Sequence, residues 1–188
     1  MNKKIELLQV LKEKTSKCMR CPDLCNRTNT VFGEGSENAQ IVFVGEGPGQ
    51  TEDEEGRPFV GRAGELLTNM IIACGWQRED VYICNIVKCR PPNNRVPTPQ
   101  EAQNCENYLK LQLKIINPKF IICLGATAAK YLLKLESPIG RLRGQWFKYT
   151  DAHVNADCIA TYHPAYLLRN PSAKGLVAED LSLVVNKL

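Results

Sequence analysis

The chain lacks any apolar run of about 18 residues, the length a membrane-spanning helix needs, so no membrane partner is expected. It has no Walker A loop and no G-x-G-x-x-G fingerprint, so no nucleotide cofactor is expected. Internal repeats, low-complexity stretches and linkers are missing too, which suits one domain over residues 1–188. Met1 to Thr15 sets Ile5, Leu7, Leu8, Val10 and Leu11 among lysines and glutamates. That pattern is a charged amphipathic segment rather than a signal peptide, and a cytoplasmic address follows by default. Neither charge sign dominates. Lys and Arg number 24 and Asp and Glu 20, a net +4 that is compatible with nucleic acid without identifying it.

Cysteine is what the chain has in quantity. Nine in 188 residues is many, and an odd count in a reducing compartment argues against a disulfide framework. Cys18 and Cys21 form a C-x-x-C pair, with Cys25 close behind. Such a pair presents two thiolates to one metal or cluster edge, and two more must come from elsewhere. Cys89 and Cys105 are the best candidates, because both fall outside predicted strand cores. Spacing alone does not separate zinc from a cluster. Cys74, Cys84, Cys123 and Cys158 lie in apolar runs and read as buried small hydrophobes.

Four apolar runs read as strands: Gln40–Val44, Val81–Val87, Phe120–Leu124 and Cys158–Tyr162. Their continuous apolar character predicts parallel strands covered on both faces. Helical patterns lie between and after them, at Gly61–Cys74, Thr98–Ile116, Ala126–Leu135 and Gly175–Leu188. Thr98, Pro99 and Glu101 make a capping box at the start of the second. The alternation predicts a doubly wound α/β domain, with the first 30 or so residues appended to it. Ligands in such sheets bind beyond the carboxyl ends of the strands. That rule singles out Gly45-Glu46-Gly47-Pro48-Gly49, Asn85 to Arg90, Gly125-Ala126 and His163-Pro164.

The glycine turn at Gly45–Gly49 lets backbone N–H groups approach a ligand, or is simply a tight turn. The acidic run Thr51–Glu55 reads as a solvated loop. Phe59, between Pro58 and Gly61, is either a hydrophobic anchor or a stacking face for a flat base. Arg57 and Arg62 beside it suit phosphate contacts. His163 is a functional residue or a helix cap; His153 reads as surface, in a hairpin or loop over Thr150–Asp157.

Together GEGPG at Gly45–Gly49, GRPFVG at Gly56–Gly61, NIVKCRPP at Asn85–Pro92 and HPAYLLRNP at His163–Pro171 resemble the family 4 uracil-DNA glycosylases. The resemblance runs from Cys18 onward. It implies that family's fold, a central four-stranded parallel sheet flanked by helices on both faces. It implies a 4Fe-4S cluster on Cys18, Cys21, Cys89 and Cys105. It further implies a DNA-repair enzyme that flips uracil out of single- or double-stranded DNA and hydrolyses its N-glycosidic bond. A monomer is expected. The basic, histidine-bearing insertion of relatives that become covalently trapped on DNA is missing, so hydrolytic turnover is expected.

Under that reading Phe59 stacks on the base, Asn85 reads its edge, and His163 donates a hydrogen bond to the departing uracil O2. Backbone N–H groups of Gly45 to Gly47 assist. Glu46 steadies the sugar cation, orients the attacking water, or is structural. Leu167 and Leu168 are wedge or core, and Arg169 holds phosphate. The cluster would staple the N-terminal segment to the loop after Asn85. Two rivals remain: a non-catalytic DNA-binding relative of the same fold, and a phosphate-handling α/β protein, for which GEGPG before an acidic run is a poor cradle.

Overall fold

The computed structural model describes residues 2–151 and 153–188. Strands β2 (Ile41–Gly45), β3 (Tyr82–Asn85), β4 (Phe120–Leu124) and β6 (Val154–Thr161) are parallel, in the order β3-β2-β4-β6. Their apolar runs form strands because neither face of the sheet meets water. Val42, Val44, Ile121 and Cys123 point into one layer, against Leu11, Leu109, Leu113 and Leu132. Ile41, Phe43, Ile83 and Ile122 point into the other, against Leu67, Ile71, Leu181 and Val184. Period-two alternation thus feeds two cores from one sheet.

Among the described residues the sheet has six strands, the four expected parallel ones and two antiparallel edges. β1 (Glu34–Gly35) pairs antiparallel with β3, and β5 (Trp146–Asp151) pairs antiparallel with β6. Both are edges. β1 has two residues, and β5 exposes most of its side chains, so neither carries a continuous apolar run. The β5–β6 hairpin turns at exposed His153.

Helices α1 (Lys3–Ser16), α4 (Pro99–Ile116) and α5 (Ala126–Leu133) cover one face. Helices α3 (Arg62–Ala73), α7 (Pro164–Arg169) and α8 (Lys174–Val185) cover the other. A four-residue helix, α6 (Ile139–Leu142), leads into β5. The capping box of α4 is formed. The Thr98 hydroxyl accepts from the Glu101 N–H at 3.2 Å, and the Glu101 carboxylate accepts from the Thr98 N–H at 2.8 Å. Such a cap contributes about 1 kcal/mol.

The acidic run is not a solvated loop. Gln50–Glu55 is a short helix, α2, whose first turn carries Glu52 and Asp53, where carboxylates favour the helix dipole. Asp53 is buried and accepts from the N–H groups of Thr28 and Asn29. It fastens the N-terminal segment to the sheet domain.

From β2 the chain moves to β3 on one side and later to β4 on the other. The crevice beyond the carboxyl ends of β2 and β4 is therefore the switch point at which such sheets bind ligands.

Candidate active site

A cavity of about 200 Å³ opens at that crevice, lined by Glu46, Gly47, Glu52, Phe59, Asn85, Asn94, Arg95 and His163 among others. Two surface grooves are wider, about 590 Å³ between α4, α5 and β5 and about 650 Å³ beside α1 and α4. Volume does not choose between them. The strand-end cavity is singled out by its place at the switch point and by the buried polar side chain of Asn85 in its wall.

Phe59 sits in the left-handed region, at φ 49°, which is costly for an aromatic residue. Its neighbours hold it there. The Arg78 guanidinium donates to the Pro58 carbonyl at 2.5 Å. The Glu52 carboxylate accepts from the N–H groups of Val60 and Gly61 at 2.9 and 2.8 Å. A Cβ at Gly64 would lie 2.0 Å from the Phe59 carbonyl, so only glycine lets α3 start this close. The ring is buried against the second core and also walls the cavity, so it is anchor and cavity face at once. A Cβ at Gly45 would meet the Phe59 ring at 2.6 Å and Asn85 Oδ1 at 2.4 Å.

Asn85 ends β3 and is buried, and its Oδ1 has no hydrogen-bond partner among the described residues. A buried acceptor left unmet costs about 1–3 kcal/mol, so it is kept for an incoming donor or not kept at all. His163 follows β6 and caps α7. Its Nδ1 accepts from the Ala165 N–H at 3.1 Å, which places the ring proton on Nε2. Burial pushes its pKa down to about 4; Glu52 opposes this shift and Arg169 adds to it. The imidazole is therefore a neutral donor at ordinary pH. Its ring centroid lies 5.5 Å from that of Phe59. Glu46 Oε2 accepts from the Thr127 hydroxyl at 2.5 Å, across the switch point.

Sequence reasoning missed Glu52, Arg78, Asn94 and Arg95. Glu52 was hidden in a run of acids, and Arg78 lies in an unremarkable loop. Asn94, at φ 55°, accepts from Arg90 and lines the cavity, while Arg95 pairs with Glu101. Of the candidate surface residues, Arg62 and Arg169 are exposed. Arg57 is exposed but paired with Glu34 at 2.9 Å. Leu167 is fully buried, which makes it core, whereas Leu168 is 39% exposed and free to meet a partner.

Cys18, Cys21, Cys89 and Cys105 line one small cavity of about 20 Å³, beside Arg27 and Lys88. Cys25 is not among its lining residues. Burial pushes the Cys89 thiol up to about 12; Arg27 opposes this, and Cys105, Cys18 and Cys21 push further. Burial also raises Cys105 and Cys21, and neighbouring cysteines add to both shifts. Among the described residues no three His, Cys, Asp or Glu side chains converge as tightly as a single ion requires. Four cysteine side chains around one cavity are a donor set that suits an iron–sulfur group or a zinc ion. Two sulfurs already accept N–H hydrogen bonds, Cys105 from the Lys88 backbone at 3.3 Å and Cys21 from Asn104 at 3.5 Å. Such bonds are the usual outer shell of ligating sulfur. Cys84, Cys123 and Cys158 are fully buried in strands, as small hydrophobes are, while Cys74 is only partly buried at the end of α3.

The profile of the Uracil DNA glycosylase superfamily matches residues 32–183. The chain is 50% identical over 179 residues to a type-4 uracil-DNA glycosylase of Thermotoga maritima, covering 94% of this chain and 92% of that one. It is 44% identical over 184 residues to a type-4 uracil-DNA glycosylase of Archaeoglobus fulgidus, with 96% and 92% covered. It is also 31% identical over 157 residues to a DNA polymerase of Bacillus phage SP01, covering 83% of this chain but 16% of that protein.

Proposed function

The chain belongs to the uracil DNA glycosylase superfamily, and on that premise we propose that it excises uracil from DNA by hydrolysing the N-glycosidic bond. The observation that carries this reading is the convergence of Glu46, Phe59, Asn85 and His163 on one cavity at the switch point. A base within a duplex cannot enter that cavity, so the nucleotide is flipped out first. Phe59 supplies a stacking face, a contact worth about 1–3 kcal/mol. The unpartnered Asn85 Oδ1 accepts the uracil N3–H, and the carboxamide N–H donates to O4. Cytosine reverses that pattern and leaves both groups unmet.

Cleavage leaves negative charge on uracil and positive character on the sugar. His163 meets the first with its Nε2–H directed at O2. Because the ring is neutral and held by the Ala165 N–H, it needs no rearrangement as charge develops. Glu46, oriented by Thr127, orients the attacking water or faces the sugar cation. Arg57, Arg62 and Arg169 contact phosphate, and Leu168 fills the gap in the stack.

Cys18, Cys21, Cys89 and Cys105 hold a 4Fe-4S cluster in this reading. The bound group supplies cross-linking and charge, since hydrolysis transfers no electron. Nine cysteines, none in a disulfide among the described residues, support a reducing, cytoplasmic setting, and no helix among the described residues is long and apolar enough to cross a membrane.

The test is release of free uracil from a uracil-containing oligonucleotide, without added metal or nucleotide. Uracil should be released by the wild type, and His163→Ala and Asn85→Ala proteins of native circular dichroism should lose most of that activity. Tight DNA binding with no free base would instead mark a binding-only member of the superfamily.

A further inference from the structure

Lys88 is a charged side chain that the chemistry above does not use. It lies one residue before Cys89 and three after Asn85. The side chain is fully buried, at 0% exposure. Its ammonium donates to the Asn85 carbonyl oxygen at 3.0 Å. Its backbone N–H donates to Cys105 Sγ at 3.3 Å, and the residue lines the cysteine cavity. Among the described residues no carboxylate pairs with it.

A buried ammonium with one neutral acceptor is unfavourable unless another charge compensates it. The four-cysteine cavity is the place from which that charge can come. Four thiolates around an iron–sulfur group carry net negative charge, and Lys88 borders them. The same ammonium grips the backbone of the base-reading residue. We propose that Lys88 is a positioning residue that couples the cysteine-bound group to the base pocket, balancing the charge of the one and fixing the strand end of the other. This inference rests on reading Cys18, Cys21, Cys89 and Cys105 as cluster ligands. It assigns the coupling to a side chain rather than to the covalent chain between Asn85 and Cys89 alone. The charge has a second consequence: a nearby cation favours the reduced form of the cluster, so removing it lowers the reduction potential.

The experiment compares Lys88→Arg, Lys88→Gln and Lys88→Met in the iron-loaded protein. The visible iron–sulfur absorbance is followed in excess chelator, and the cluster potential is measured by voltammetry. Lys88→Met should lose iron on the order of tenfold faster than wild type, while Lys88→Arg stays near wild type. Lys88→Gln, which can still donate to the Asn85 carbonyl, should keep the fold but show a more negative potential. A Lys88→Met protein with wild-type cluster lifetime and potential overturns the proposal. Should Lys88→Met fail to fold, Lys88→Gln decides, and a wild-type potential in that protein overturns the proposal. Wild-type protein purified without iron would overturn the cluster reading itself, whereas an iron-loaded wild type with a flat Lys88 series overturns only this inference.

Discussion

The base pocket and the cysteine cavity lie either side of residues 85–89, yet they are built on opposite terms. Protein bonds alone complete the pocket. Glu52 and Arg78 hold Phe59 in a conformation it would not choose, and the Ala165 N–H fixes the His163 tautomer. Its unmet atom, Asn85 Oδ1, is kept for a visitor. The cysteine cavity is not complete in this sense. Burial and neighbouring cysteines hold the Cys89 and Cys105 thiols protonated, and the lysine beside them has no carboxylate partner among the described residues. A preorganised site works by what it holds ready, and a charge-unbalanced one by what it binds for good. Damage to the first should therefore remove turnover and spare the fold, while damage to the second should remove the fold's support and turnover with it.

The largest effect should separate the two regions most sharply. Replacing Cys89 by serine should deplete iron and lower the melting temperature by at least about 10 °C, with activity lost in parallel. Calorimetry with iron analysis checks this, and a stable iron-free variant would erase the contrast. His163→Ala should lower kcat/KM by roughly 10²–10³-fold while melting within a few degrees of wild type. Glu52→Ala tests preorganisation itself. Freed from its clamp, the Phe59 turn should relax, with a loss of roughly 10–100-fold in kcat/KM and no loss of iron.

A pH series gives a smaller effect whose sign follows from burial. The folded state holds His163 neutral down to about pH 4, whereas the unfolded chain takes up a proton near 6.5. Stability should therefore fall as pH drops from about 6.5 to about 4, by on the order of 3 kcal/mol, and level off below. Urea midpoints of wild type against His163→Gln isolate this contribution, and the variant should lack the slope. The smallest effect is expected at Cys123→Ala, deep in the sheet. It should cost about 1 kcal/mol and leave iron content and turnover alone.

Much of this was legible in the sequence, for physical reasons that differ by residue. The four inner strands were readable because strands buried on both faces must be apolar throughout. The α4 capping box was readable because a cap is local chemistry. The edge strands were not, since β5 leaves most of its side chains exposed and β1 is too short for a pattern. Glu46, Asn85 and His163 were candidates because strand ends in this architecture are where ligands sit, and Phe59 because it is an aromatic between proline and glycine just before a helix. Glu52, Arg78 and Lys88 escaped because each acts across a gap in sequence or from inside the core. A glutamate in EDEE looks solvated until the turn it holds is seen, and a lysine in a motif gives no hint that it is buried.

The most direct test of the pocket is a crystal structure of the iron-loaded protein with free uracil. The ring should lie against Phe59, with its N3–H and O4 edge on the Asn85 carboxamide and its O2 at His163 Nε2. Uracil bound instead in the wider groove between α4, α5 and β5, or in the pocket with its O2 turned away from His163, would contradict this assignment.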